Sequence, residues 1–533
     1  MKSTNGTVCL AAGDKAFVTN ENGPATAYIG WSNESSTITN GGLVEGNCVL
    51  VRAHGNSQTP TITNGGRMVA EKSLTVHADN GFFNHTGSLQ TSGGRVGVVG
   101  KKISLEEASL IDASGINGGG AICVGGGWQG MDPEIPNADE VFVARTASIA
   151  ADATTHGCGG NIVVWANEKT TFLGGISAKG RGKEGNGGKA EVSAHNVLIF
   201  DGSACLSSEE GERGELLLDP VSITIQASNP DINGNGSNLD MTNVNQLNNA
   251  TTTPAGFPNA ASIITSGAVG GLLNGGQSMT LAAQNFITVS SSITATGSGN
   301  SIFFNAPTIN LNQPILSNTS TAVAISGAAS TVNVGPSGII QDGANVAAAG
   351  ATVNLSSAAY VQEVDIEKNI TLNGNGIGNT VIVCPATLLT NTFTAFSATY
   401  HPFVMATAAS DVRIQNMTID GNSQPSNFLN YRFLGIGYYN AGGTISNVRV
   451  TGVQDSSPGG PTQHGQAIFG AVDDGNPYTI QVLNCTIDNF QKAAISMRGP
   501  TLTTIINVHK KYKLTAVSDT GLESSKVKLK IRS

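Results

Sequence analysis

The sequence predicts an all-β solenoid, a parallel β-helix, on three observations. The unit Gly-Gly-x-apolar-x-Val is written four times in the first two hundred residues: Gly93-Gly94-Arg95-Val96-Gly97-Val98, Gly119-Gly120-Ala121-Ile122-Cys123-Val124, Gly159-Gly160-Asn161-Ile162-Val163-Val164 and Gly187-Gly188-Lys189-Ala190-Glu191-Val192. Earlier, Thr37-Ile38-Thr39-Asn40-Gly41-Gly42 returns as Thr61-Ile62-Thr63-Asn64-Gly65-Gly66. Each of those copies is followed by an alternating run, Val49-Leu50-Val51-Arg52-Ala53 and then Leu74-Thr75-Val76-His77-Ala78. Every second residue is small or apolar, so one face is buried and the other wet. Short strands and glycine turns at a period of about two dozen residues fit a stack of similar coils. A β-sandwich would instead favour antiparallel hairpins with two-residue turns.

The chain divides by pattern into four blocks. Residues 1–220 carry the repeats and end in Glu215-Leu216-Leu217-Leu218-Asp219-Pro220, where a proline that cannot donate to a ladder marks a junction. Residues 221–355 are rich in Asn, Ser, Thr and Ala and continue the stack, with strands expected at 278–282, 301–304 and 308–311 and an excursion near 229–258. Residues 356–500 contain Asn416-Met417-Thr418-Ile419-Asp420-Gly421, Asn447-Val448-Arg449-Val450-Thr451-Gly452 and Asn484-Cys485-Thr486-Ile487-Asp488-Asn489. Asparagine tolerates left-handed backbone angles, and stacked coils would align these amides into a hydrogen-bonded ladder. Residues 501–533, with Lys510, Lys511, Lys513, Lys526, Lys528, Lys530 and Arg532, form a basic terminal β-segment or tail.

Composition narrows the classes of function. Only 12% of the 533 residues are charged and the net charge is −9, which leaves no basic stripe for nucleic acid. No apolar run is long enough for a membrane-spanning helix. The start, Met1-Lys2-Ser3-Thr4-Asn5-Gly6-Thr7, lacks the apolar core of a signal peptide, and by itself points to a cytoplasmic protein or an incomplete chain. Seven cysteines without CxxC spacing argue against a disulfide framework or a zinc site. Cys123 and Cys485 are expected as small buried hydrophobes within strands.

The candidate chemistry is sparse. A β-helix enzyme acting on polysaccharide needs carboxylates converging on one exposed face. The nearest candidates are Asp473 and Asp474 with His464-Gly465; Asp-Asp-Gly-Asn-Pro, however, reads more naturally as a turn, and no catalytic residue is expected. Polygalacturonase-like sites have the Asp pair before the His-Gly, whereas here the order is reversed. Asp420 and Asp488 recur at matching coil positions, which suggests turn capping. Tandem Gly-Gly-x-Gly-x-Asp calcium repeats are missing, so neither a metal nor a cofactor is expected. Gly118-Gly119-Gly120 and Gly374-Asn375-Gly376 are not phosphate loops, since no helix is expected after them. Trp31, Trp128 and Trp165 could stack on sugars, but Trp128 and Trp165 are more simply packing anchors.

The first block resembles the filamentous-haemagglutinin-type exoproteins of bacterial two-partner secretion. The similarity rests on an ordered series: Gly6-Thr7-Val8-Cys9-Leu10-Ala11-Ala12-Gly13, Ile111-Asp112-Ala113-Ser114-Gly115, Gly119-Gly120-Ala121-Ile122-Cys123-Val124-Gly125-Gly126, Trp128-Gln129-Gly130, Pro136-Asn137-Ala138, Gly159 to Ala166, Gly175-Ile176-Ser177-Ala178, Gly187 to Ser193 and Leu217-Leu218-Asp219-Pro220. It covers about the first 40% of the chain, with fainter similarity to roughly residue 316. The resemblance implies a right-handed parallel β-helix exported through an outer-membrane pore transporter and displayed or released as an adhesin. The family's leading Asn-Pro-Asn-Gly region has no counterpart here. The third block is similar to pectin-lyase-like β-helices, its opening Tyr360 to Gly374 and Thr380-Val381-Ile382 being reminiscent of pectinesterases, while the esterase's catalytic Gly-x-x-Asp-Phe-Ile-Phe-Gly is absent. The expectation is therefore a non-enzymatic extracellular or outer-surface exoprotein, an adhesin whose partners are the transporter and a receptor or glycan on a host or neighbouring cell. The alternative is a carbohydrate-binding or polysaccharide-degrading β-helix in residues 356–500; a third reading is a remnant of a longer gene.

Overall fold

The computed structural model describes residues 1–3, 6–13, 15–19, 26–30, 36–55, 60–228, 262–297, 299–317, 323–387, 389–423, 432–454, 464–508 and 527–529. The chain is all-β, with 59% strand and 5% helix. It forms two compact units, residues 1–306 with 316–325, and residues 307–315 with 326–533. Among the described residues no helix is long and apolar enough to cross a membrane. The excursion expected near 229–258, Trp31 and most of the basic tail lie outside the described residues.

In the first unit the chain visits three columns of parallel strands in the same order, turn after turn. One column runs through Thr37–Asn40, Thr61–Asn64, Phe82–His85, Lys102–Leu105, Glu140–Val143, Lys169–Phe172 and Val197–Phe200. The next runs through Leu43–Gly46, Arg67–Ala70, Ser88–Thr91, Leu110–Asp112, Ser148–Ala150, Gly175–Ser177 and Ser203–Cys205. The third joins segments of the strands that contain Val8, Val49, Leu74, Val96, Ile122, Ile162, Ala190, Leu216, Met279 and Ile302, one above another in register. None of these ten side chains is more than 4% exposed. Each aliphatic side chain so buried contributes about 1.5–3 kcal/mol, and each needs only the rung above and the rung below.

The glycine pairs have a direct physical cause. Gly120 faces the carbonyl of Gly94, Gly160 that of Gly120, Gly188 that of Gly160 and Gly214 that of Gly188; a Cβ on any of them would lie under 3.0 Å from that oxygen. The repeated motif is thus a column of positions at which the coils approach too closely for a side chain. Gly160→Ala should destabilise the chain by about 1–3 kcal/mol, the usual cost of overpacking, read as a lowered thermal midpoint. An unchanged midpoint would mean that the coils are not so closely stacked.

The second unit repeats the scheme. Thr308–Leu311, Thr331–Val334, Thr352–Leu355, Thr371–Asn373, Arg413–Gln415, Thr444–Ser446, Gln481–Leu483 and Ile505–Asn507 pair in parallel, rung upon rung. A second column carries Val364–Ile366, Val404–Ala406, Ile436–Tyr438, Ile468–Gly470 and Ile495–Met497. Asn416, Asn447 and Asn484 have φ of 60°, 53° and 53°, the left-handed geometry expected of them. The amide ladder forms in part: Asn447 donates to Asn416 at 2.8 Å and Asn416 to Asn373 at 2.9 Å, while the Asn484 side chain does not join it among the described residues. It runs on where it was not expected, from Asn373 to Asn354, Asn333 and Asn310 at 3.0, 3.2 and 2.8 Å.

Two antiparallel hairpins depart from the parallel scheme, Lys15–Thr19 with Thr26–Gly30 and Phe393–Ala395 with Ala398–Tyr400. The second brings Phe393 against Tyr439 at 4.8 Å between ring centroids and Tyr400 against Phe469 at 4.4 Å. It builds a second apolar layer with Met405 and Leu434. The strand Leu502–Val508 continues the ladder on Tyr478–Cys485, and Val527–Leu529 pairs with Thr504–Ile506.

Candidate functional site

Asp473 and Asp474 occupy an exposed turn between the strands Gln466–Ala471 and Tyr478–Ile487. Asp473 accepts from the Asn440 amide at 3.0 Å. Asp474 accepts from the Asn476 backbone and side-chain nitrogens at 2.9 Å each and from the Tyr478 hydroxyl at 3.0 Å, bonds that hold its carboxyl below the usual range. Both carboxylates therefore organise the turn. His464 stands before the other end of the strand Gln466–Ala471, whose six residues span about 17 Å at roughly 3.3 Å per residue. The structure does not bring the histidine and the aspartates together.

Asp420 and Asp488 differ despite their matching positions. Asp420 accepts from the Asn422 backbone nitrogen at 2.8 Å, the capping role expected. Asp488 instead takes the Arg449 guanidinium at 2.9 and 3.1 Å together with the Thr451 hydroxyl, contacts that hold it below the ordinary carboxylate range. This is a correction: Asp488 makes an ion pair across rungs, because the outer face of the neighbouring strand presents an arginine.

A more elaborate arrangement lies under residues 125–137 in the first unit. The chain there folds over the outward side of strands Asn161–Phe172 and Lys189–Ala194. Trp165 is 6% exposed, and Cβ atoms at Gly126 or Gly130 would collide with its indole. Packing thus excludes side chains at both glycines and makes Trp165 the anchor expected of it. Trp128 is not an anchor; it is 40% exposed, at the tip of the turn Trp128–Gly130. Beside it, Gln129 holds φ 53°. Its backbone N–H donates to Glu191 at 2.7 Å and its side chain to Asp219 at 3.0 Å.

Glu191 is fully buried, and burial pushes its carboxyl up to about 7, against the pull of the Gln129 and Ser193 hydrogen bonds. Asp219 adds to the rise. The second Glu191 oxygen, Oε1, has no protein partner among the described residues. Chemically this is a carboxyl biased toward its neutral form and sealed beneath a turn, a clasp for the covering segment. Sequence spacing could not find it, since Gln129 and Glu191 are 62 residues apart.

In the second unit Asp342 is likewise buried, accepts from the Ile315 backbone at 3.1 Å and is pushed up to about 7 by desolvation. Asp365, pushed up to about 6 by the same cause, lines a cavity of about 190 Å³ with Gln341, Asn345 and Lys368. The Lys368 ammonium is already bound to the Asn345 and Ala347 carbonyls at 2.9 and 2.8 Å, and the Gln341 amide to the Asp365 backbone carbonyl and the Asn345 side chain at 3.0 Å each, while Asp365 Oδ1 is buried without a protein partner among the described residues.

Cys485 is buried as expected, its thiol pushed up to about 11 by desolvation. Cys123 corrects the reading. It alternates with the buried Ile122 and Val124, so it faces outward, half-buried, in contact with Arg95. Among the described residues no group of three or more His, Cys, Asp or Glu side chains converges as a metal site would require.

The most regular feature of the second unit is one that sequence reasoning missed. Thr308-Ile309-Asn310, Thr331-Val332-Asn333, Thr352-Val353-Asn354 and Thr371-Leu372-Asn373 are directly paired rungs. Their central residues are fully buried, while every Thr and Asn is half-buried on the outward face. The signal was present as Thr-apolar-Asn at successive spacings of 23, 21 and 19 residues, which can be counted from the sequence. No family model and no curated protein matches the chain.

Proposed function

We propose that the chain is a right-handed parallel β-helix solenoid of the filamentous haemagglutinin type, a non-enzymatic secreted or cell-surface exoprotein that acts as an adhesin. The observation that carries this reading is the coincidence of motif and rung. Four consecutive Gly-Gly-x-apolar-x-Val units fall on four consecutive parallel rungs, inside the ordered motif series that ends at Leu218-Asp219-Pro220. A solenoid with rigid, regular faces has no need of a catalytic centre to act; its function is to present surface. Export through an outer-membrane pore transporter and engagement of a receptor or glycan on another cell follow from the same resemblance.

Protease shaving or impermeant labelling of intact cells that produce the full protein tests the reading. The chain should be cleaved or labelled before any cytoplasmic marker; a product protected until lysis would sink it. Polysaccharide cleavage by residues 356–500 has less support, since His464 and the pair Asp473 and Asp474 stand at opposite ends of a strand.

A further inference from the structure

We propose that the outward face built by Thr308, Asn310, Thr331, Asn333, Thr352, Asn354, Thr371 and Asn373 is a docking face for an extended, uncharged polysaccharide chain.

The argument starts from the lattice. Strand pairing places the threonines in one column and the asparagines in a second, with rungs about 4.8 Å apart and columns about 6.6 Å apart. Four rungs thus repeat one pair of polar groups over about 14 Å. The two columns differ in what they leave over. Asn333 and Asn354 each give one amide hydrogen to the rung before and accept one from the rung after. Since an amide has two donors and two acceptor sites, each keeps one of both for an outside partner, in an orientation already fixed by the ladder. The hydroxyls of Thr331, Thr352 and Thr371 make no protein hydrogen bond among the described residues. Fixing donors and acceptors beforehand lowers the entropic cost of binding.

Charge and period then select the partner. The four rungs carry no ionisable side chain; the next rung introduces Arg413, which is paired with Asp411 at 2.8 Å. A polyanion or polycation would gain no ion pair on this face. Unlike a repeat face such as this one, an ordinary globular surface does not repeat one group at a fixed step, whereas a β-linked glycan chain presents hydroxyls at every sugar, at a step comparable to the rung spacing. Successive sugars of a β-1,4-linked chain are flipped, so the same hydroxyl face recurs at about every second rung, and every second rung can repeat the same bonds. The inference deepens the adhesin reading by naming a ligand class, but it is tested on the isolated chain and does not depend on where that chain is found.

The test is depletion of the purified full chain onto insoluble cellulose and chitin, with a polygalacturonate gel as the anionic comparison. The wild type should bind at least one of the two neutral polymers and keep binding in 1 M salt, since no ion pair is involved. Thr331→Glu with Thr352→Glu places two charges in the lattice without touching the core, and should weaken binding at least about tenfold. Thr392→Glu with Thr394→Glu, equal charge at exposed positions at the start of the antiparallel hairpin, which belongs to a different sheet of the same unit, should leave binding within about twofold, as expected of surface changes outside the lattice. Circular dichroism confirms that each variant is folded. Failure of the wild type to bind either neutral polymer, a preference for the anionic gel, or equal binding by the Thr331 and Thr352 variant overturns the proposal. A chain that binds cellulose or chitin yet is never reached by surface labelling would keep this inference and remove the adhesin reading.

Discussion

Truncating Ile162 to alanine should lower the stability of the first unit by about 2–5 kcal/mol, the cost of removing a large buried aliphatic group and leaving a cavity. Ile162 is fully buried between Ile122 of the rung below and Ala190 of the rung above. Alanine at the rung above means that on that side no long side chain can collapse into the space. In the proposed solenoid each rung is supported only by its neighbours, so the damage should be local before it is global. Hydrogen exchange should accelerate first in the strands Ala121–Val124, Asn161–Phe172 and Lys189–Ala194. Protection that falls uniformly along the chain would contradict this nearest-neighbour account.

The buried carboxyls of Glu191 and Asp342 should each lower stability as pH rises from about 4.5 to about 7, opposite in sign to ordinary acid denaturation. His77, His85 and His401, whose values burial lowers, act in the other direction and favour folding as pH rises. Glu191 and Asp342, whose ordinary values are 4.5 and 3.8, are each pushed up to about 7 by burial. In that window the unfolded chain has lost both protons while the folded chain still holds them, so each further unit of pH favours unfolding. Above about 7 the two states hold equal numbers of protons and the dependence flattens. The displacement corresponds to roughly 3–4 kcal/mol for each carboxyl. Glu191→Gln and Asp342→Asn together remove both titrations, so between pH 5 and 7 the midpoint of the double variant should change less unfavourably with rising pH than that of the wild type. Identical pH profiles for the wild type and the double variant over that range would show that neither carboxyl keeps its proton.

What could be read from the sequence is whatever the coil repeats. The Gly-Gly units mark adjacent rungs because the coils crowd there at every turn, and the same crowding excludes side chains at Gly120, Gly160 and Gly188. Thr37 to Asn40 pairs residue for residue with Thr61 to Asn64, as their identity suggested. Asn416 and Asn447 keep left-handed angles and stack their amides because each turn needs the same bend. What could not be read is whatever is added to the coil. Residues 125–137 fold over an outward face and turn Glu191, on a nominally wet position, into a fully buried acid. Cys123 faces outward because alternation places Ile122 and Val124 inside, and that alternation was visible. The hairpin at Phe393 builds an apolar layer that no two-residue period announces. The Thr-apolar-Asn rungs were visible in principle, yet only their register gives them meaning.

The parallel, in-register pairing of successive rungs can be tested by cysteine cross-linking in a chain whose seven native cysteines are replaced by serine. Thr331 and Thr352 are direct partners on neighbouring strands, about 4.8 Å apart, within the Cα separation of roughly 4.4–6.8 Å that a disulfide spans. Thr331 and Asn354 are diagonal to one another, two residues out of register. Thr331→Cys with Thr352→Cys should form an intramolecular disulfide on mild oxidation, and Thr331→Cys with Asn354→Cys should not. Cross-linking of the diagonal pair in place of the direct one, or of neither, would contradict the stacking on which the adhesin reading and the proposed docking face both depend.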